Sequence, residues 1–166
     1  MTLFQKNNQR LNPKLVSLDL PTVHLIRKKV LYKNFSSTLV KYFEDDLKET
    51  LHYGLSINDE IISILTLIKQ SFEYARKANS IQLRGMATLN SHQRKGFGSV
   101  LLGKVIDKLK KEDIYELLWC KSRFSVIRFY KNNNFTPIGD NFKIETIGLH
   151  QTLYYRLKDD QGLKIS

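Results

Sequence analysis

The chain has 166 residues, 42% hydrophobic and 26% charged, a composition that fits one globular domain and excludes a disordered chain. A single cysteine, Cys120, excludes an internal disulfide framework, and the four histidines show no ligand spacing, so we expect no metal. The longest apolar run, residues 61–68, is too short to cross a bilayer, and the N-terminus has no secretory apolar region. We therefore expect a cytoplasmic protein with no membrane partner.

The net charge of +11, from 27 Lys and Arg residues against 16 Asp and Glu residues, favours anionic partners. Nucleic acid, an acidic membrane surface and a phosphorylated small molecule are the candidates. The basic residues are scattered, no run is longer than Arg27–Lys29, and the acidic segment Glu44–Asp46 interrupts them. Because a nucleic-acid arm usually concentrates its charge, nucleic acid is the less favoured partner.

The first part of the chain predicts a strand hairpin behind an irregular start. Residues 1–21 hold two of the three prolines and predict a loosely ordered lead-in. Thr22–Leu31 predicts a short strand or helix. Residues 51–57 and 61–68 have the apolar patterns of strands, and Asn58-Asp59 between them has the composition of a turn.

The middle of the chain contains the clearest strand pattern. Residues 81–89 alternate strictly between two faces. Gly85 lies in the middle of this strand, where glycine often marks a bulge or the close approach of another group. We therefore expect this strand to be locally irregular beside a possible ligand.

The second half of the chain alternates helices and strands. An amphipathic helix follows Gly98, and a strand is expected over residues 114–120. A second helix is expected over residues 123–132, begun by Ser122 and ended by the Asn132–Asn134 run. Three further segments have β character: 135–138, 142–147 and 152–157. This order predicts an α/β or α+β domain built on a single sheet.

A basic glycine loop, Gln93–Ser99, lies between the 81–89 strand and the amphipathic helix. Glycines let the backbone approach a ligand, and the helix start directs its amides and its dipole into the loop. Together with Arg94 and Lys95 this predicts a phosphate or pyrophosphate site. The alternative is a glycine turn that only begins the helix. The mononucleotide P-loop pattern is absent, and Leu101 takes the third glycine position of the dinucleotide pattern.

Two motifs carry a family resemblance. Gln93-x-x-Gly96-x-Gly98 resembles motif A of the GNAT superfamily of N-acetyltransferases, and residues 129–135, Phe-Tyr-Lys-Asn-Asn-Asn-Phe, resemble its FYxxxGF signature. The resemblance covers residues 51–157. Within the superfamily, three segments are similar to a subgroup of small, poorly characterised bacterial acetyltransferases: 82–88, 118–120 and 147–150.

The resemblance implies one GNAT-like domain over residues 1–166, with a mixed, mostly antiparallel, splayed β-sheet flanked by helices. It also implies acetyl-CoA as cosubstrate. Backbone groups of three strand residues would bind the pantetheine arm: Met86, Ala87 and Thr88. Seven loop residues would hold the pyrophosphate: Gln93, Arg94, Lys95, Gly96, Phe97, Gly98 and Ser99.

The sequence departs from the family pattern at two positions. Asn134 stands where the signature has glycine, a tolerable change because asparagine also adopts positive φ. Arg123 stands where the family often has asparagine. The Arg123 side chain could contact the cofactor or pair with a nearby carboxylate.

Tyr130 of the FYxxxGF-like segment is the expected general acid. After an amine attacks the thioester directly, the departing CoA thiolate needs a proton that a phenol can supply. The alternative is that Tyr130 is an aromatic residue of the core. The general base is not identified, and His52, His150 and Glu145 are candidates. Cys120 is expected to be a small buried hydrophobe rather than an acyl carrier.

The resulting hypothesis is an acetyl-CoA-dependent N-acetyltransferase that acts on a primary amine. The alternatives are a non-enzymatic module that binds nucleic acid, and a GNAT-like protein that binds CoA without transferring acetyl groups. The sequence leaves the acceptor open between a small metabolite, an antibiotic, a polyamine and a protein amine. Residues 142–157 could lend an edge strand to a homodimer.

Overall fold

The computed structural model describes residues 12–35, 40–159 and 162–166. Within them the strands are β1 (Lys14–Ser17), β2 (Leu51–Ile57), β3 (Glu60–Lys69), β4 (Ser80–Thr88), β5 (Leu117–Arg123), β6 (Thr136–Ile144) and β7 (Gly148–Arg156). The α-helices are α1 (Leu20–Val30), α2 (Phe97–Glu112) and α3 (Ile127–Asn132). The strands form one sheet in the order β1-β2-β3-β4-β5-β7-β6, with β4 and β5 parallel. The predicted α/β class with a mixed, mostly antiparallel sheet is confirmed.

The described part of the chain folds as two compact units. The first comprises the described residues of Met1–Thr66 together with Gly85–Val105, and the second comprises those of Leu67–Arg84 and Ile106–Ser166. That the whole chain is one domain stays a prediction. None of the helices in the described ranges has the length and apolar character needed to cross a membrane.

Strand β1 corrects the expected lead-in over residues 1–21. It pairs antiparallel with β2 through Leu15 and Val16, which are half-buried. The two prolines are compatible with order here, because Pro13 precedes the strand and Pro21 lies in the first turn of α1, where no amide hydrogen bond is lost. Residues 1–11 lie outside the described residues.

The segment predicted as a short strand or helix is helix α1. Asp19 is its N-cap, with Oδ1 accepting a hydrogen bond from the Thr22 amide at 2.9 Å. Val23 and Ile26 form a buried cluster with Ala87 of β4. This capping, together with an apolar stripe at helical spacing, favours the helix.

The β2–β3 hairpin turns where the sequence predicted. Asn58 and Asp59 have φ values of 49° and 64°. Two consecutive residues with positive φ are typical of the type I′ turn, whose twist matches that of the flanking strands. The turn places the long buried strand β3 beside β2 in the sheet.

Strand β5 is longer at its C-terminal end than predicted, which delays the next helix. It pairs antiparallel with β7 as far as Arg123, opposite His150. The expected helix start at Ser122 is therefore wrong: its hydroxyl donates to the Arg123 carbonyl at 3.0 Å, and it is a strand residue. A short 3-10 helix over Phe124–Val126 follows before α3 begins. Long-range strand pairing overrides the local helix-start signal.

Strands β6 and β7 form the C-terminal hairpin, and β6 lies at one edge of the sheet. The register shifts between Ile138 and Phe142, next to Gly139 with φ of 68°. Such an irregularity weakens an edge as a template for further pairing. A homodimer formed through residues 142–157 stays a prediction.

Candidate functional site

Strand β4 is irregular at Gly85, as predicted from its mid-strand glycine. Its φ is 57°, a conformation that favours glycine. A Cβ added to Gly85 would lie 2.8 Å from Arg27 Nε and 3.1 Å from the Tyr42 hydroxyl. The group that approaches the strand closely is therefore the buried side chain of Arg27, with Tyr42 beside it.

The backbone of the residues after Gly85 has a defined direction. Ser63 Oγ of β3 donates to the Ala87 carbonyl at 3.0 Å, and the Leu89 amide donates to the Ile62 carbonyl at 2.9 Å. Because backbone groups alternate in direction along a strand, those of Met86 and Thr88 point away from β3. This is the orientation that a ligand lying along that side of β4 would use.

The loop after β4 is braced by its own side chains. Gln93 Nε2 donates to the Thr88 carbonyl at 2.9 Å and to Asn90 Oδ1 at 3.0 Å. Lys95 Nζ donates to the Ser91 carbonyl at 2.7 Å. The side chains of Gln93 and Lys95, both expected to contact the cofactor, thus stabilise the conformation of the loop. Their contacts with the cofactor stay predictions.

The loop conformation and the helix behind it suit an anion. Arg94 and Gly96 have φ values of 58° and 85°, and both are exposed. The Val100 amide donates to the Gly96 carbonyl at 3.1 Å, which closes the first turn of α2. The first turn of this helix has no acidic residue to compensate the positive end of the dipole. These features support the predicted phosphate site, as does the exposed charge of Arg94.

A groove of about 560 Å³ adjoins the start of the loop and was not predicted from the sequence. Three lysines line it, Lys28, Lys29 and Lys33, together with Asn90, Ser91, Val30 and Leu89. Lys28 Nζ donates to the Phe35 carbonyl at 2.6 Å. The positive charge near the loop is thus larger than the loop sequence alone indicates.

A buried polar network lies behind Gly85 in the same unit. Arg27, fully buried, donates from Nη1 to Asp45 Oδ2 at 2.7 Å and from Nη2 to Asp45 Oδ1 at 3.0 Å. His24 Nε2 donates to Asp45 Oδ2 at 3.0 Å. Burial raises the pKa of Asp45, but hydrogen bonds from Arg27, the Tyr42 amide and His24 outweigh it, so the net shift is downward. The sequence signal was an arginine on the apolar stripe of α1, although Arg27 also begins a basic run typical of a protein surface.

His52, a candidate general base, belongs to this network. Its Nε2 donates to the Asp45 carbonyl at 3.2 Å, and its Nδ1 accepts from Thr66 Oγ1 at 2.9 Å. Burial lowers the pKa of His52. With both ring nitrogens occupied, His52 is placed as a neutral structural residue rather than as a base.

Tyr130, the expected general acid, lies in the second unit. It is 7% exposed, and its ring contacts Phe129 and Phe135 with centroid distances of 5.1 and 5.4 Å. Asn134 has φ of 64°, as expected for the residue that replaces glycine. The side chain thus packs as a core aromatic would, and its role as an acid stays a prediction.

The remaining candidates of the second unit differ in exposure. His150 is buried and donates from Nδ1 to the Gly148 carbonyl at 2.8 Å, whereas Glu145 is exposed. Arg123 is half-buried at the end of β5, and its contact with the cofactor stays a prediction. Cys120 is buried, as expected, and burial raises the pKa of its thiol, which opposes the thiolate that acyl transfer needs.

The described residues contain no candidate metal centre. Among residues 12–35, 40–159 and 162–166 no three His, Cys, Asp or Glu side chains are grouped so that they could hold an ion.

Comparison with known proteins matches this architecture to one family. Residues 20–135 match the model of the acetyltransferase (GNAT) family. The chain is 31% identical over 133 residues to the protein named uncharacterized N-acetyltransferase YitI of Bacillus subtilis (strain 168). The aligned residues make up 80% of this chain and 89% of that protein.

Solved structures share the fold. The ribosomal-protein-S18-alanine N-acetyltransferase of Escherichia coli has a TM-score of 0.67 at 19% identity, over 93% of this chain and 100% of that one. A GNAT family acetyltransferase of Elizabethkingia anophelis with acetyl-CoA bound has a TM-score of 0.64 at 18% identity, over 87% and 98%. With the family model covering most of the sequence, the chain belongs to the GNAT acetyltransferase family and is an acyltransferase.

Proposed function

We propose that this protein transfers the acetyl group of acetyl-CoA to a primary amine. The observation that carries the proposal is the exposed loop between β4 and α2, which Gln93 braces against Thr88 and which lies at the positive end of a 16-residue helix. Such a loop suits a pyrophosphate group. The family membership supports an acyl donor, and a fold neighbour holds acetyl-CoA.

The donor would be bound by two parts of the first unit. Arg94 and the amides at the start of α2 would hold the pyrophosphate. The backbone groups of Met86 and Thr88, which point away from β3, would bond to the pantetheine arm, with Ala87 between them. Amides near the thioester carbonyl would also stabilise the negative charge that develops on its oxygen during attack.

The reaction proceeds by direct attack of the neutral amine nitrogen on the thioester carbon. The new C–N bond forms, the C–S bond breaks, and the acetamide and CoA thiol are the products. The proton lost by the amine passes to a base or to water, and Tyr130 gives its phenolic proton to the departing thiolate. His150 and Glu145 remain the candidate bases, since His52 is occupied.

Thermal unfolding in the presence of acetyl-CoA tests donor binding. At about a hundred times the dissociation constant, a ligand stabilises the folded state by about 2.7 kcal/mol. For a chain of this size this corresponds to a rise in Tm of about 5–11 °C. ATP at the same concentration is the control for general anion binding. An equal shift with ATP would instead indicate a non-specific basic surface.

Transfer itself is then measured as thiol release with a panel of amines. The panel contains amino acids, an aminoglycoside, spermidine and peptides with free N-termini. Saturable, amine-dependent thiol release supports the proposal. An acetyl-CoA-specific shift with no thiol release from any amine would favour a protein that binds CoA without transferring acetyl groups.

A further inference from the structure

Arg27 is an unusual residue for the interior of a helix–sheet interface. Its side chain is fully buried on the face of α1 that packs toward β4. Besides the two bonds to Asp45, Nη1 donates to the Val40 carbonyl at 2.9 Å and Nη2 donates to Thr66 Oγ1 at 2.7 Å. The guanidinium group is therefore held from three sides and has one orientation.

The remaining edge of the guanidinium group faces Gly85. Its carbon lies 3.8 Å from the centroid of the Tyr42 ring. The Nε atom has no hydrogen-bond partner among the described residues, and it lies 2.8 Å from where a Gly85 Cβ would be. Arg27 and Tyr42 thus fill the volume that a side chain at position 85 would take. This packing requires glycine at position 85, which has no side chain and readily adopts the observed φ of 57°.

Stability alone does not explain this arrangement. A buried Arg–Asp pair is often no more stabilising than apolar residues of similar volume, because both charges lose their hydration. The unpartnered Nε adds a further cost. The pair instead holds the Arg27 side chain rigidly against Gly85 of β4. Gly85 immediately precedes the segment in which the backbone groups of Met86 and Thr88 are directed away from β3.

We propose that Arg27 is a positioning residue for acyl-donor binding: held by Asp45 and Thr66, it maintains the irregularity at Gly85 and thereby the direction of the Met86–Thr88 backbone groups. The inference rests on the proposed function, in which these groups bind acetyl-CoA. Small displacements of positioned groups have large effects: in catalytic sites a misplacement of about 1 Å lowers the rate by about a hundredfold. Arg27 acts through the backbone, without touching the donor.

Two variants weaken this contact to different degrees. Arg27→Lys keeps the charge opposite Asp45 but removes the planar fork and the stacking on Tyr42. Thr66→Val removes one acceptor of the guanidinium group, together with the bond to His52, and leaves the Asp45 pair in place. It serves as the test if Arg27→Lys does not fold. The control is Phe72→Leu, a substitution at a fully buried residue of the other unit.

Two measurements are made at a temperature where every variant is folded. We expect Arg27→Lys to weaken acetyl-CoA binding, measured by calorimetry, at least about tenfold. We also expect faster hydrogen exchange at the Met86–Thr88 amides of the ligand-free protein. Phe72→Leu should change neither by more than about twofold, although its Tm falls.

Three results would overturn the inference or separate it from the proposed function. Wild-type affinity in Arg27→Lys overturns it, as does an equal loss in Phe72→Leu, which would indicate a general effect of stability. If the wild type itself binds no acetyl-CoA, the proposed donor is wrong. The exchange rates at Met86–Thr88 then decide whether Arg27 holds this segment.

Discussion

Thr66 Oγ1 donates a hydrogen bond of 2.9 Å to Nδ1 of His52, and this bond defines the protonation state of the histidine. Thr66 already accepts from Arg27 at 2.7 Å, so its own proton is directed to the imidazole. The other ring nitrogen of His52 donates to the Asp45 carbonyl. A second proton on the ring would break the bond with Thr66 and add a charge in a buried site beside Arg27.

The first prediction is a pH dependence of stability that originates at His52. Burial lowers the pKa of folded His52 below its ordinary value of 6.5. Below that pH the unfolded state binds a proton that the folded state does not, so the free energy of unfolding falls as pH decreases, by up to about 1.4 kcal/mol per pH unit. Urea unfolding between pH 7.5 and 5.0 measures this dependence. His52→Gln should be less stable at pH 7.5 but show a shallower slope, and identical slopes would contradict the assignment.

The second prediction concerns the side-chain hydrogen bonds of Gln93 in the basic glycine loop. Gln93→Ala removes the bonds to Thr88 and Asn90, so the loop samples more conformations and must be ordered on binding. We expect acetyl-CoA affinity to fall about tenfold, while the free energy of unfolding changes by less than about 0.5 kcal/mol because the side chain is exposed. Lys111→Ala, near the far end of α2, is the control. Unchanged affinity in Gln93→Ala would show that the brace is dispensable.

The third prediction separates the two interpretations of Tyr130. Tyr130→Phe keeps the aromatic packing with Phe129 and Phe135 and removes only the hydroxyl. If the phenol protonates the thiolate, kcat falls by about a hundredfold or more, whereas the acetyl-CoA dissociation constant stays within about twofold. Tyr115→Phe is the matched control, and both constants are measured with the amine found by the screen. Full turnover in Tyr130→Phe would leave Tyr130 as a core residue only.

The fourth prediction uses the β2–β3 turn. Asp59 has φ of 64°, where glycine is less strained, and Asn-Gly is the preferred pair of a type I′ turn. Asp59→Gly should therefore raise the free energy of unfolding by about 0.5–1 kcal/mol in urea. Ser71→Gly, at an exposed residue without positive φ, should not stabilise the protein. A loss of stability in Asp59→Gly would mean that the carboxylate has a role beyond the turn.

The elements with a strong local pattern could be predicted from the sequence. The alternation over residues 81–89 and the apolar stripe after Gly98 predicted β4 and α2 because both patterns follow from the geometry of one element. The basic glycine loop between them could be predicted from its residue types and from its position between these two elements. The turn at Asn58-Asp59 could also be predicted, because asparagine and aspartate adopt positive φ more readily than most residues.

The remaining features depend on partners far away in the chain. Strand β1 has four residues and exists through its pairing with β2. The late start of α3 follows from pairing of β5 with β7. Arg27 and Asp45 are 18 positions apart, so no local pattern joins them. A basic residue at an apolar helix position was nevertheless a usable signal, since a buried arginine requires an acidic partner.

Because Cys120 is buried, the reactivity of its thiol can be used to measure local opening of the structure around β5. The only thiol of the protein is 1% exposed in the middle of β5 and has a raised pKa. An alkylating reagent therefore reacts with it only when the packing around β5 opens and exposes the thiol. The labelling rate under native conditions consequently reports how readily this part of the structure opens, without any engineered probe.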